Sequence, residues 1–91
     1  MNLFECPRPI SVRVLEAYTL LVTFANGTQK TYDMEPELKL PIYEKLKDTD
    51  FFLQAHIKYN TVVWDEDVDV SPYALYEFGE DYVEEKEKEY V

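Results

Sequence analysis

The run Asp65-Glu66-Asp67-Val68-Asp69 holds the densest set of groups able to do chemistry in this 91-residue chain. Asp65, Asp67 and Asp69 alternate as do the carboxylates at positions 1, 3 and 5 of a calcium loop, which converge on a hard cation. The pattern then stops. Position 6 is Val70 where the loop needs glycine, and position 12 is Tyr76 where it needs a bidentate Glu. The acids read instead as a solvated turn, with Asp69 and Ser71 close to a helix N-terminus that favours carboxylates and hydroxyls. His56, the single histidine, lies between Gln54 and Lys58 on the polar face of an alternating segment. A catalytic histidine needs an orienting carboxylate and a nucleophile beside it, and the local pattern offers neither. Cys6, the single cysteine, has only Arg8 nearby to lower its pKa. One Cys and one His cannot complete a zinc shell, and two glycines, at 27 and 79, cannot build a phosphate-cradling loop. No catalytic residue, metal ligand or cofactor is expected.

The charge is more informative. Nineteen acids against nine bases give a formal net charge of -10, and the excess is local. Residues 1–64 hold eight acids and seven bases; residues 65–91 hold eleven acids and two bases, Lys86 and Lys88. Direct nucleic-acid binding requires cations against phosphates, which this balance excludes. An anionic membrane surface would be repelled by the same field, and no apolar run approaches the roughly 18–20 residues of a membrane span. The N-terminus has neither the basic start nor the apolar stretch of a signal peptide. The lone cysteine precludes an internal disulfide and fits a reducing, cytoplasmic compartment. A cationic protein surface, by contrast, would be steered toward the acidic end.

Elements that would position these groups follow from periodicity. Val12 and Val14 alternate with Arg13 in a strand over 11–17, and Leu20, Val22 and Phe24 line one face of a strand over 18–25. Asn26-Gly27 is a hairpin turn and 28–34 the returning strand. A two-residue loop would place polar residues on the core face; a three-residue loop with a bulge is expected to set Tyr32 and Met34 beside Val22 and Leu20. Pro41 opens a short helix through Lys47, with Ile42, Tyr43 and Leu46 on its apolar side. Leu53, Ala55, Ile57 and Tyr59 alternate in a half-buried strand, Asn60 turns the chain, and Thr61-Val62-Val63-Trp64 completes a second hairpin. Ser71-Pro72 starts a last helix, with Leu75 and Phe78 inward and Gly79 as its stop. Tyr18, Tyr32, Tyr43 and Tyr59 are expected to finish the core with hydroxyls at its edge. Trp64, Tyr73 and Tyr76 are the candidates for buried contact with a partner.

In this order and spacing, the residues resemble the small bacterial proteins grouped as domain of unknown function 2442. The carriers are Leu20-x-Val22-x-Phe24 with Asn26-Gly27, Asp33, Leu46-x-Asp48 with Phe51 or Phe52, Thr61-Val62-Val63-Trp64, and Asp69-Val70-Ser71-Pro72 with Leu75-Tyr76. The resemblance spans roughly residues 8–78. It departs where the family usually has a glycine, between the Trp and the Asp-x-Ser-Pro element; here Asp65-Glu66-Asp67-Val68 fills that stretch. The resemblance implies an α+β domain with antiparallel sheet and assigns no catalytic residue. Some members resemble regulators in which the domain precedes a helix-turn-helix, for which no room is seen after residue 79. Others are encoded beside a small partner protein, as toxin–antitoxin pairs are.

The expectation is therefore one α+β domain over 1–79: a three-stranded antiparallel unit, a short middle helix, a second hairpin and a C-terminal helix. Residues 80–91 are expected to be an acidic tail, as frayed helix or disorder. The expected function is a non-enzymatic, antitoxin-like interaction module binding a basic protein through Trp64, Asp65, Glu66, Asp67, Asp69, Tyr73 and Tyr76; a homo-oligomer stays open. The alternatives are an acidic mimic of nucleic acid that regulates a DNA-binding protein, and a tail that serves solubility alone in a protein with an unassigned small-molecule ligand.

Overall fold

Leu20, Val22 and Phe24 alternate along one strand and are all fully buried, so this strand lies at the centre of the fold. A computed structural model describes residues 6–82. It contains strands β1 (Pro9–Leu15), β2 (Thr19–Phe24) and β3 (Gln29–Asp33), then two 3-10 segments, Glu35–Lys39 and Pro41–Lys47. A one-turn helix α1 (Thr49–Phe52) follows, then β4 (His56–Lys58), β5 (Thr61–Asp65), β6 (Val68–Val70), helix α2 (Pro72–Phe78) and β7 (Glu80–Asp81). Two antiparallel sheets result, ordered β1-β2-β3-β7 and β4-β5-β6. They share one core built from β2, Met34, Tyr43, Leu46, Phe52, Val62, Trp64, Val68, Val70 and Leu75. The α+β expectation holds. Among the described residues no helix is long and apolar enough to cross a membrane.

The first hairpin has the three-residue loop, but the strands slip the other way. Phe24 N–H donates to Thr28 O and Gly27 N–H to Phe24 O, so Ala25-Asn26-Gly27 is the loop, with Gly27 at φ +91. This is a turn closed by a left-handed residue, and only glycine takes that position without cost. Tyr32 therefore pairs with Leu20, not Val22, and Lys30 pairs with Val22. A lysine on the core side is tolerated because its ammonium lies 5.1 Å from the centre of the Tyr76 ring and 3.2 Å from Asp81 Oδ1. Both partners come from later in the chain. The β1–β2 turn has no glycine: Ala17 and Tyr18 both sit at positive φ. Tyr18 is held there by its hydroxyl, which donates to Lys47 O at 2.9 Å, and by edge-on packing against Phe52.

Other expectations are corrected. The segment Pro41–Lys47 is 3-10 with a kink at Tyr43, and a tighter helix turns Ile42 outward, 56% exposed, while Tyr43 and Leu46 are buried. Asp48 ends the segment before it, as expected, and also caps α1 by accepting from Asp50 N–H, so Phe51 and Phe52 lie in a helix instead of leading straight into a strand. The strand beginning at Leu53 shrinks to His56–Lys58, and Leu53 is exposed. Tyr59 also leaves the core: with Asn60 it forms the two-residue turn, both at positive φ, and it is 72% exposed. Phe78 faces outward at the end of α2. Two strands were not foreseen. Val68–Val70 pairs with β5, and Glu80–Asp81 pairs with Lys30 and Thr31 of β3. Tyr82 N–H continues that ladder to Gln29 O, so the folded domain runs past residue 79. Residues 83–91, most of the expected tail, lie outside the described residues.

Candidate functional site

Residues 65–69 form a hairpin tip and the strand after it. Asp65 pairs with Val68, leaving Glu66-Asp67 as a two-residue loop with neither residue at positive φ. The missing glycine is replaced by two devices. Asp65 Oδ1 accepts from Asp67 N–H at 2.8 Å, mimicking a turn in its own side chain, and β5 carries a bulge at Trp64 that supplies extra twist. The bulge directs Trp64 inward. Its indole N–H donates to Phe52 O at 2.9 Å, its ring stacks on Phe52, and it is 3% exposed. Trp64 is thus a core residue and drops out of the candidate partner surface. Adjacent pattern alone could not reveal this, since the acceptor lies on α1.

The remaining candidates split. Glu66, Asp67 and Asp69 are exposed along the tip and β6. Asp65 is partly covered, and Lys45 Nζ lies 3.1 Å from its Oδ2. The backbone N–H of Asp67, and then Lys45, hold the Asp65 carboxyl below the usual carboxylate range. Lys45 occupies the place a cation bridging Asp65 would take, and among the described residues no three His, Cys, Asp or Glu side chains converge on a point that could hold a metal ion. On α2, Ser71 caps the helix by accepting from Ala74 N–H, and Pro72 is the first residue, as the sequence predicts. Tyr73 is exposed and makes an edge contact with Phe78, whereas Tyr76 is half-buried between Phe24 and Lys30. Tyr76 is therefore mainly a packing residue, and Tyr73 with Phe78 makes the exposed aromatic pair.

The other reactive groups are placed plainly. His56 is exposed, with its Nδ1 2.9 Å from Gln54 O. Cys6 is half-buried, and burial, then the Glu77 charge, push its thiol above the ordinary value, away from the nucleophilic thiolate. Tyr43 donates to Asp69 O at 2.9 Å, tying the middle segment to β6. Burial, then the charges of Glu37 and Asp69 and the nearby Tyr32, raise its pKa above the ordinary 10.0. Since the folded state favours the neutral phenol, this contribution is complete below pH 10 and is lost as pH rises through the higher folded value. Urea midpoints measured from pH 8 to 11.5 are expected to fall above about pH 10, and to fall less steeply in Tyr43→Phe. Tyr43→Phe should also cost about 1 kcal/mol at neutral pH for the lost hydrogen bond.

Sequence reasoning did not find a notch on the outer side of the first sheet. It has a volume of about 410 Å³ and is lined by Thr19, Thr31, Tyr32, Asp33, Phe78 and Glu80. Its signal was faint, because Glu80 enters only through the unforeseen β7.

The family model described as Protein of unknown function (DUF2442) matches residues 9–81, from the first residue of β1 to the last of β7. No curated protein and no solved structure matches the chain. The matched span contains every described strand and helix, and on that extent the chain belongs to the DUF2442 family.

Proposed function

We propose that this protein is a non-enzymatic interaction module, antitoxin-like in its role, which binds a basic protein partner through its acidic C-terminal side. One observation carries the reading: residues 65–82 hold seven carboxylates and no lysine or arginine. Of these seven, only Asp65 and Asp81 are in ion pairs with described residues. Glu66, Asp67, Asp69, Glu77 and Glu80 stand exposed. Exposed carboxylates without a cationic partner cost the fold little in water, and they steer a cationic surface at long range. The antitoxin-like part rests on the family resemblance.

The test is capture from native lysate, at 50 mM and 500 mM salt, with three chains: intact, ending at Tyr82, and intact with Glu66→Gln, Asp67→Asn, Asp69→Asn and Glu77→Gln. Ending the chain at Tyr82 instead of residue 79 keeps β7 paired. A single small basic protein is expected with the intact chain at low salt, reduced at least tenfold at high salt and in the fourfold variant. Capture of the same protein by all three chains, unchanged by salt, would sink the electrostatic reading. Displacement of the captured protein by duplex DNA would turn it toward nucleic-acid mimicry.

A further inference from the structure

Four side chains form one row across the outer face of the first sheet, because the registers align Arg13 with Leu21, Leu21 with Thr31, and Thr31 with Glu80. The neighbouring row pairs Thr19 with Asp33. Residues two apart in a strand share a face, so Thr31, Asp33, Thr19 and Glu80 all project to the same side. Strand β7 covers β3 only at Lys30 and Thr31. Before Glu80 the chain turns away into α2, where Gly79 N–H closes the helix on Leu75 O. Among the described residues the edge of β3 at Tyr32 and Asp33 therefore has no strand beside it, and the notch of about 410 Å³ opens there. Phe78, the last residue of α2, stands at the notch, 69% exposed.

We infer that this notch receives an arginine side chain of the basic partner, its guanidinium set between Asp33 and Glu80 and against the Phe78 ring. The inference rests on the interaction reading above and narrows it to a place and a chemistry. Among the described residues no cationic side chain lines the notch, and none of them neutralises its two carboxylates from within it. The nearby Lys30 points to the other face, where Asp81 and the Tyr76 ring hold it. The Thr19 and Thr31 hydroxyls add acceptors for a donor-rich group. A guanidinium has five donors in a planar fork and stacks on aromatic rings, whereas an ammonium is a compact, strongly hydrated point charge. The Phe78 ring, edge-on to Tyr73 and largely exposed, offers an aromatic surface on which such a planar cation can stack.

The test is amide chemical-shift titration of the full chain with a six-residue arginine peptide, and with a lysine peptide of the same length, at 20 mM salt. The arginine peptide is expected to shift Thr31, Asp33, Phe78 and Glu80 saturably, and to bind at least threefold more tightly than the lysine peptide. Phe78→Ala should weaken it at least threefold, and Asp33→Asn with Glu80→Gln about tenfold. These changes leave the fold in place: Phe78 is exposed, and Asn at 33 keeps the oxygen that accepts from Glu35 N–H. If the peptide instead shifts Glu66, Asp67 and Asp69, and the variants bind as the wild type does, the notch assignment is overturned while the acidic-surface reading stands. If neither peptide shifts any amide, both fall.

Discussion

Trp64→Ala should cost about 3–5 kcal/mol of unfolding free energy, the range for truncating a large buried aromatic. At roughly 0.05–0.15 kcal/mol per residue, a chain of 91 residues has about 5–14 kcal/mol in total. The change therefore removes a large share and leaves a weaker variant partly unfolded at physiological temperature. Three effects add. The side chain is 3% exposed, and its loss leaves a cavity against Phe52. The Phe52 carbonyl loses its indole donor at the C-terminal end of α1. The bulge in β5 loses the residue it serves to direct inward. Trp64→Phe separates these terms: it keeps most of the volume but not the N–H, and should cost about 1–3 kcal/mol. Urea unfolding followed by far-UV circular dichroism would read both. A Trp64→Ala midpoint equal to that of the wild type would show that the indole faces solvent, and would return Trp64 to the candidate surface.

Gly79→Ala is expected to lower stability by about 2–3 kcal/mol, or roughly 10–20 °C in melting temperature for a domain of this size. Backbone dihedrals are not the cause, because Gly79 has φ -74, which alanine adopts freely. The cause is space. A Cβ at this position would lie 2.5 Å from Leu75 O and 3.1 Å from both Lys30 Cβ and Thr31 O. Two of these three atoms are backbone, so relief requires the Gly79 N–H to give up its close approach to Leu75 O and β7 to shift on β3. The loss should be concentrated at β7. Amide exchange at Asp81 and Tyr82 is expected to accelerate far more than at Leu20 or Val22. Uniform acceleration would mean that β7 is not separable from the core; an unchanged melting temperature would mean that the helix end does not approach β3 as described. Gly27 is the converse case, with open space around it and a positive φ that requires glycine.

That contrast shows what could be read from the chain. Gly79 was expected as a helix stop, and it is one, but through close approach and not through a left-handed turn. The physical reason lies partly in α2 itself, at Leu75 O, and partly across the fold on β3. The hairpin slip has a different lesson. A three-residue loop needs its left-handed residue last, so Gly27 itself dictates Ala25-Asn26-Gly27. The expected register set Tyr32 and Met34 beside Val22 and Leu20 for burial, and the observed one conflicts with that rule by putting Lys30 opposite Val22. Tyr76 and Asp81 resolve the conflict, and neither could be placed beside Lys30 from sequence.

Local patterns sufficed where the determining forces are local. Alternation placed Leu20, Val22 and Phe24 in the core, Asn60 in a turn, and Ser71-Pro72 at the start of α2. The α+β class and the concentration of charge after residue 64 follow from the chain itself. Tertiary structure decided which apolar residues are covered. Trp64 is buried because Phe52 lies across from it, whereas among the described residues no element packs over Ile42 and Phe78, which face out. It also decided the two short strands: three residues of β6 and two of β7 carry too little pattern to be read, and they exist because β5 and β3 offer open edges. Hydrogen bonding to an edge depends on which edge is free, and only the assembled sheets settle that.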